Sequence, residues 1–122
     1  MAGAARLLIH SIRDVTVVNI EDASILDLAQ VESLGQQLYE LVDDRNCRKL
    51  ILDFTKVKFL SSSALGVLVN LQRKTSEIKG TLVICALRGE LMKVFEITKL
   101  KKLFTFCDDE TAALAVFNVV IG

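Results

Sequence analysis

Proline and tryptophan are absent from this chain of 122 residues, and histidine and tyrosine occur once each. Without proline, and with six glycines scattered along the chain, no stretch reads as a linker. Residues 1–122 are therefore expected to form one domain. His10 alone cannot supply a serine triad, and there is no GxSxG to carry the nucleophile. It is equally short of partners for a metal site, so no cofactor or metal is expected. No GxGxxG or GxxxxGK[ST] follows an apolar run, which excludes the glycine loops that cradle phosphates. Cys47, Cys85 and Cys107 are odd in number and lack CxxC spacing, and they read as reduced, mostly buried thiols. No run nears the ~18–20 apolar residues of a membrane span. Met1–Ala5 is too short for a signal peptide, so a soluble, cytoplasmic protein is expected. Fifteen basic residues balance fifteen acidic ones. That leaves no net field to draw nucleic acid or anionic lipid, and points to a protein or small ligand as partner.

What the chain does have is apolar residues, 52% of the total, in a length that can bury a core without metal or disulfide staples. Leu7–Ile12 and Val15–Ile20 are rich in branched residues, and Arg13-Asp14 between them suggests an opening hairpin. Leu28, Val31, Leu34, Leu38, Leu41 and Val42 recur at helical spacing, with Asp27 and Gln30 as a capping box. Leu50–Phe54 reads as a buried strand, Ser63–Ile78 as a helix ended by Gly80, and Thr81–Leu87 as the next strand. Glu90–Thr98 follows as a short helix and Leu103–Phe106 as a last strand. A terminal helix starts at Asp108 and Asp109 and turns Ala113, Val116, Phe117 and Val120 inward. Alternating strands and helices imply an α/β layer structure with mainly parallel neighbours. The strands at 50–54 and 81–87 are nearly continuous in apolar residues, so both sheet faces should be covered. So small a domain has few helices for that, which leaves room for a homodimer surface.

Ser61-Ser62-Ser63-Ala64-Leu65-Gly66-Val67-Leu68 carries the functional signal. Three hydroxyls stand where a helix opens, a place with unpaired N–H groups and roughly half a positive charge. One serine suffices as a cap, with Ser63 or Ser62 suitably placed, and the others are either structural or phosphoacceptors. Gly66 inside the helix is expected to allow close packing, internally against the sheet or else against a partner. Asp53, late in a strand, has no visible base or metal partner and reads as structural. Lys99, Lys101 and Lys102 form either a solvated turn or a contact for phosphate or a partner.

With its flanking elements, this stretch resembles the STAS domain family, specifically the anti-sigma factor antagonists of bacterial partner-switching systems. The likeness runs from about Leu7 to Val120. It takes in Leu50-Ile51-Leu52-Asp53-Phe54, Val57, Phe59, the serine signature, Gly80-Thr81-Leu82-Val83-Ile84, and Phe95 through Phe104. It implies a STAS-like α/β fold with a mixed, mainly parallel sheet of four to five strands and about four helices. It also implies binding without catalysis: the unphosphorylated antagonist holds an anti-sigma factor/serine kinase, which phosphorylates it and ends the interaction. By position the family's acceptor falls on Ser62, with Ser61 and Ser63 as alternates. The partner surface falls on Ser61, Ser62, Ser63, Ala64, Asn70 and Arg73. Ser61 stands where the family usually has an acidic residue, and Ala64 where it has glycine. Alanine requires the loop to avoid positive φ. The alternative reading is a STAS regulatory or scaffold subunit, on a transporter or in a stress-signalling assembly, that does not depend on serine phosphorylation. A third is a small enzyme or ligand carrier that binds an anion at Ser61–Ser63.

Overall fold

The computed structural model describes residues 4–120, so the first part of the Met1–Ala5 stretch lies outside the described residues. Leu7–Ile12 (β1) and Val15–Ile20 (β2) form the expected hairpin, with Ile12 opposite Val15. Only Arg13 and Asp14 make the turn, and Arg13 takes the left-handed φ of 57° that glycine would otherwise supply. Two strands of two residues each, Ser24–Ile25 (β3) and Phe59–Leu60 (β5), pair parallel to each other outside the main sheet. Neither was foreseen, since two residues show no alternation and the pairing forms only once the chain is folded. Lys49–Asp53 (β4), Thr81–Cys85 (β6) and Thr105–Cys107 (β7) complete a five-stranded sheet of order β1-β2-β4-β6-β7, parallel from β2 onward.

Side chains alternate across that sheet. Val18, Ile20, Leu50, Leu52, Leu82 and Ile84 join the larger core. Three helices supply the other side of that core: Leu28–Asp43 (α1), Ser62–Glu77 (α2) and Gly89–Ile97 (α3). Val15, Val17, Ile51, Val83 and Cys85 form a second core with Ala113 and Leu114 of a single short helix, Glu110–Val116 (α4). The near-continuous apolar strands are thus explained by cover on both faces. Seven residues of α4 cover little width, and Leu8 on β1 stays exposed.

Asp27 caps α1 by accepting from the Gln30 N–H at 2.8 Å. Gln30 reaches back one residue further than a capping box requires, accepting from Leu26 N–H and donating to the Ser24 carbonyl. Leu28, expected inside, stands at the first helical position and is exposed, while Val31, Leu34, Leu38, Leu41 and Val42 are buried. After α2 the left-handed turn falls on Lys79, φ 61°, not on Gly80. Gly80 serves a different need: a Cβ there would lie 2.7 Å from the Arg48 carbonyl oxygen.

Three boundaries differ clearly from expectation. The strand expected over Thr81–Leu87 stops at Cys85, because Ala86 takes a left-handed φ of 59°. Leu100–Leu103 wind into a 3₁₀ turn from left-handed Lys99, so the last strand begins at Thr105 and not at Leu103. Phe104 and Phe106 meet Phe95 of α3 edge-on, with ring centroids 5.7 and 5.5 Å apart, which fixes α3 against β7. The terminal helix stops at Val116 because the chain turns through Asn118, φ 62°, and the Val119 N–H donates to the Leu114 carbonyl. Leu114 and Val119 therefore fill the places expected of Val116 and Val120, which are exposed.

Candidate functional site

The serine run folds as cap and first turn. Ser61 is extended, φ −78° and ψ 166°, and its Oγ accepts the Ala64 N–H at 3.1 Å, so Ser61 is the N-cap and not Ser62 or Ser63. Ser61 N–H itself donates to the Ile25 carbonyl, which ties the cap to β3. The first intrahelical bond runs from Leu65 N–H to the Ser61 carbonyl. With Ala64 N–H taken by the cap, the N–H groups of Ser62 and Ser63 face the helix start without an intrahelical acceptor. Ser62 and Ser63 are exposed, whereas Ser61 is half-buried.

The two departures from the resemblance now have physical explanations. Aspartate and serine are interchangeable at an N-cap, so Ser61 does the structural work of the acidic residue without its charge. Ala64 lies inside the helix with ordinary φ and is fully buried, so no glycine is needed. That burial also places Ala64 beneath the expected partner surface, not on it.

Along α2, Ser62, Gly66, Asn70 and Arg73 recur every three or four residues, share one side and are exposed, with Ser63 beside them. Gly66 does not pack internally as expected, because a Cβ built on it meets nothing within 4 Å. A mid-helix glycine costs about 1 kcal/mol relative to alanine. Here no internal contact offsets that loss.

A shallow groove of about 350 Å³ borders the run, lined by Leu26, Lys58, Phe59, Leu60, Leu91 and Val94. Leu26 is 56% and Phe59 54% exposed, large apolar side chains presented beside the cap. Sequence reasoning did not single out Leu26 or this groove, because it is formed by the β3–β5 pairing. On the opposite side of α2, Val67 with Val31, Gly35 and Tyr39 forms a second shallow groove against α1.

The remaining candidates form no catalytic set. His10 is exposed on β1. Lys101 pairs with Glu96 at 3.4 Å and Lys99 serves the left-handed turn. Asp53 is buried and holds Thr55 through its N–H and hydroxyl, with Glu110 as its other neighbour. Burial, then the charges of Asp53 and Glu110, push the Cys85 thiol up to about 12, which removes it as a nucleophile at neutral pH. Among the described residues no three metal-binding side chains gather. No helix among them is long and apolar enough to cross a membrane.

Comparison with known proteins places these features in context. The family model described as STAS domain matches residues 7–113. BtrV of Bordetella bronchiseptica, named as a candidate anti-sigma factor antagonist, is 28% identical over 97 residues, covering 80% of this chain and 83% of its own. The crystal structure of an anti-sigma factor antagonist from Mycobacterium paratuberculosis superposes with a TM-score of 0.82 at 22% identity, covering 98% of both chains. The Bacillus cell fate determinant SpoIIAA, in its phosphorylated form, superposes with a TM-score of 0.70 at 20% identity, covering 93% of this chain and 99% of its own.

Proposed function

The chain belongs to the STAS domain family, and from that premise we propose that it is an anti-sigma factor antagonist whose hold on its partner is ended by phosphorylation of Ser62. Its relatives carry the antagonist name, and one neighbour is known in a phosphorylated form. The observation that carries the reading is the division of labour in the serine run. Ser61 spends its hydroxyl on the cap, and Ser62 presents an exposed hydroxyl at the first helical position.

The partner, an anti-sigma factor that is also a serine kinase, docks in the cytoplasm on the exposed side of α2. Ser62, Ser63, Asn70 and Arg73 make the polar contacts, Gly66 admits a close approach, and Leu26 and Phe59 supply apolar area at the margin. A phosphate on Ser62 adds ~1.5–2 negative charges and three acceptor oxygens. In the free protein the helix start offsets roughly 0.3–2 kcal/mol for a charge. Buried in the complex without a cation, the same group costs several kcal/mol. Each ~1.4 kcal/mol is tenfold in affinity, so the difference is enough to release the partner without refolding.

The test is incubation with ATP and the serine-kinase anti-sigma factor encoded nearest its gene, followed by mapping of the phosphate. Modification at Ser62, lost in Ser62→Ala, is expected. No phosphate at Ser61, Ser62 or Ser63, with binding indifferent to Ser62→Asp, would sink the proposal.

A further inference from the structure

The two edges of the five-stranded sheet are unlike. β7 is three residues long, and so short an edge offers little to pair with. β1 is six residues long, bonded to β2 on one side only, and its register runs without a bulge. Glu21 N–H donates to the Arg6 carbonyl, and these two residues continue the register of the hairpin. Bonded and unbonded positions alternate along an antiparallel pair, so Leu8, His10 and Ile12 turn their backbone groups to β2. Leu7, Ile9 and Ser11 turn theirs outward, where none among the described residues bonds to them.

An open edge of this length usually carries a lysine, a proline or an inward charge that blocks pairing. β1 carries none of these within the strand. It is apolar on both faces instead. Leu7 and Ile9 pack on the larger core and Ile12 on the second. Leu8, on the same side as Ile12, stands 58% exposed. A strand apolar on both faces belongs inside a sheet, not at its border.

We propose that β1 pairs antiparallel with β1 of a second copy across a two-fold axis, joining two five-stranded sheets into one of ten strands. Self-complementarity selects a second copy as the occupant. Outward groups must meet outward groups, and setting Ile9 opposite Ser11 of the copy does this. The same register sets Leu8 opposite Ile12, Arg6 opposite Asp14, and His10 opposite its own counterpart. By symmetry the first two contacts occur twice. The Arg6 and Asp14 side chains are 73% and 67% exposed, so each keeps room for a second contact besides Asp22 and Lys49, their partners within the chain. Sliding the copy by two residues sets Leu8 against His10 and Arg6 against Ile12, and both matched pairs are lost. A strand of other sequence would need apolar residues at the same spacing, a base at one end and an acid at the other. The chain itself carries that pattern.

Sedimentation and backbone amide NMR on the full chain, over about 10 µM to 1 mM, suit a contact of one strand pair. The mass should rise from one chain towards two. The Ile9 and Ser11 amides should gain exchange protection with it, while those of Leu8, His10 and Ile12, already bonded to β2, keep theirs. Ser11→Pro removes an outward donor and no bond to β2. Leu8→Lys puts a charge on an exposed site of the edge. Each variant should keep the wild-type spectrum outside β1 and stay a monomer at the top of the range. A wild-type chain that stays single throughout, a dimer that leaves the Ile9 and Ser11 amides unchanged, or variants that pair as the wild type does would each overturn the proposal. So would protection of those amides only on adding the anti-sigma factor encoded nearest its gene, which gives the edge to a partner's strand. Ser62 enters none of these readouts.

Discussion

Ser61 and Gly66 define the site at the scale of single residues, because each does something its neighbours do not. Ser61 is a cap, so Ser61→Ala should destabilise the fold by about 1 kcal/mol in urea denaturation, while Ser61→Asp should leave stability close to wild type. A loss on Ser61→Ala that also abolished phosphorylation, with Ser62→Ala still modified, would move the acceptor to Ser61. Gly66 is the reverse case. Nothing meets a Cβ at that position, so Gly66→Ala should stabilise the chain by about 0.5–1 kcal/mol. The same substitution should weaken partner binding if the helix surface is approached closely there. Gly80 is the contrasting glycine. A Cβ would meet the Arg48 backbone at 2.7 Å, and Gly80→Ala should destabilise by about 1–3 kcal/mol through overpacking.

Among the elements, α3 and β7 are joined mainly by aromatic contact, with Phe95 fully buried between Phe104 and Phe106. Phe95→Ala should cost about 3–5 kcal/mol, read as a shift of the urea midpoint. The elements that could be read from the chain were those with strong internal periodicity. α1 and α2 carry apolar residues at helical spacing, β4 and β6 are nearly continuous in apolar residues and β2 is rich in branched ones, so their order and type are legible in the chain. The two-residue strands β3 and β5 were not, because their pairing is a product of the fold. The same holds for the short terminal helix, where a turn at Asn118 cut the apparent pattern after Val116.

At the scale of the molecule, two faces of one sheet are treated unequally. Three helices bury one face and carry the serine run and its groove, while α4 alone guards the other. The exposed serine position was legible because a hydroxyl run before a helix has few explanations. The identity of the cap was not, since three consecutive serines are equivalent until the backbone chooses one. The hydrogen bond from Asn19 to Glu110 left no trace in the sequence, as nothing near either residue marks a contact across so much intervening chain.

The affinity of the cognate anti-sigma factor for the chain, measured by calorimetry before and after stoichiometric phosphorylation at Ser62, bears most directly on the switch. A drop of at least tenfold on modification, absent when Ser62→Ala is put through the same kinase reaction, is the expected result. Equal affinity of the two forms would contradict it.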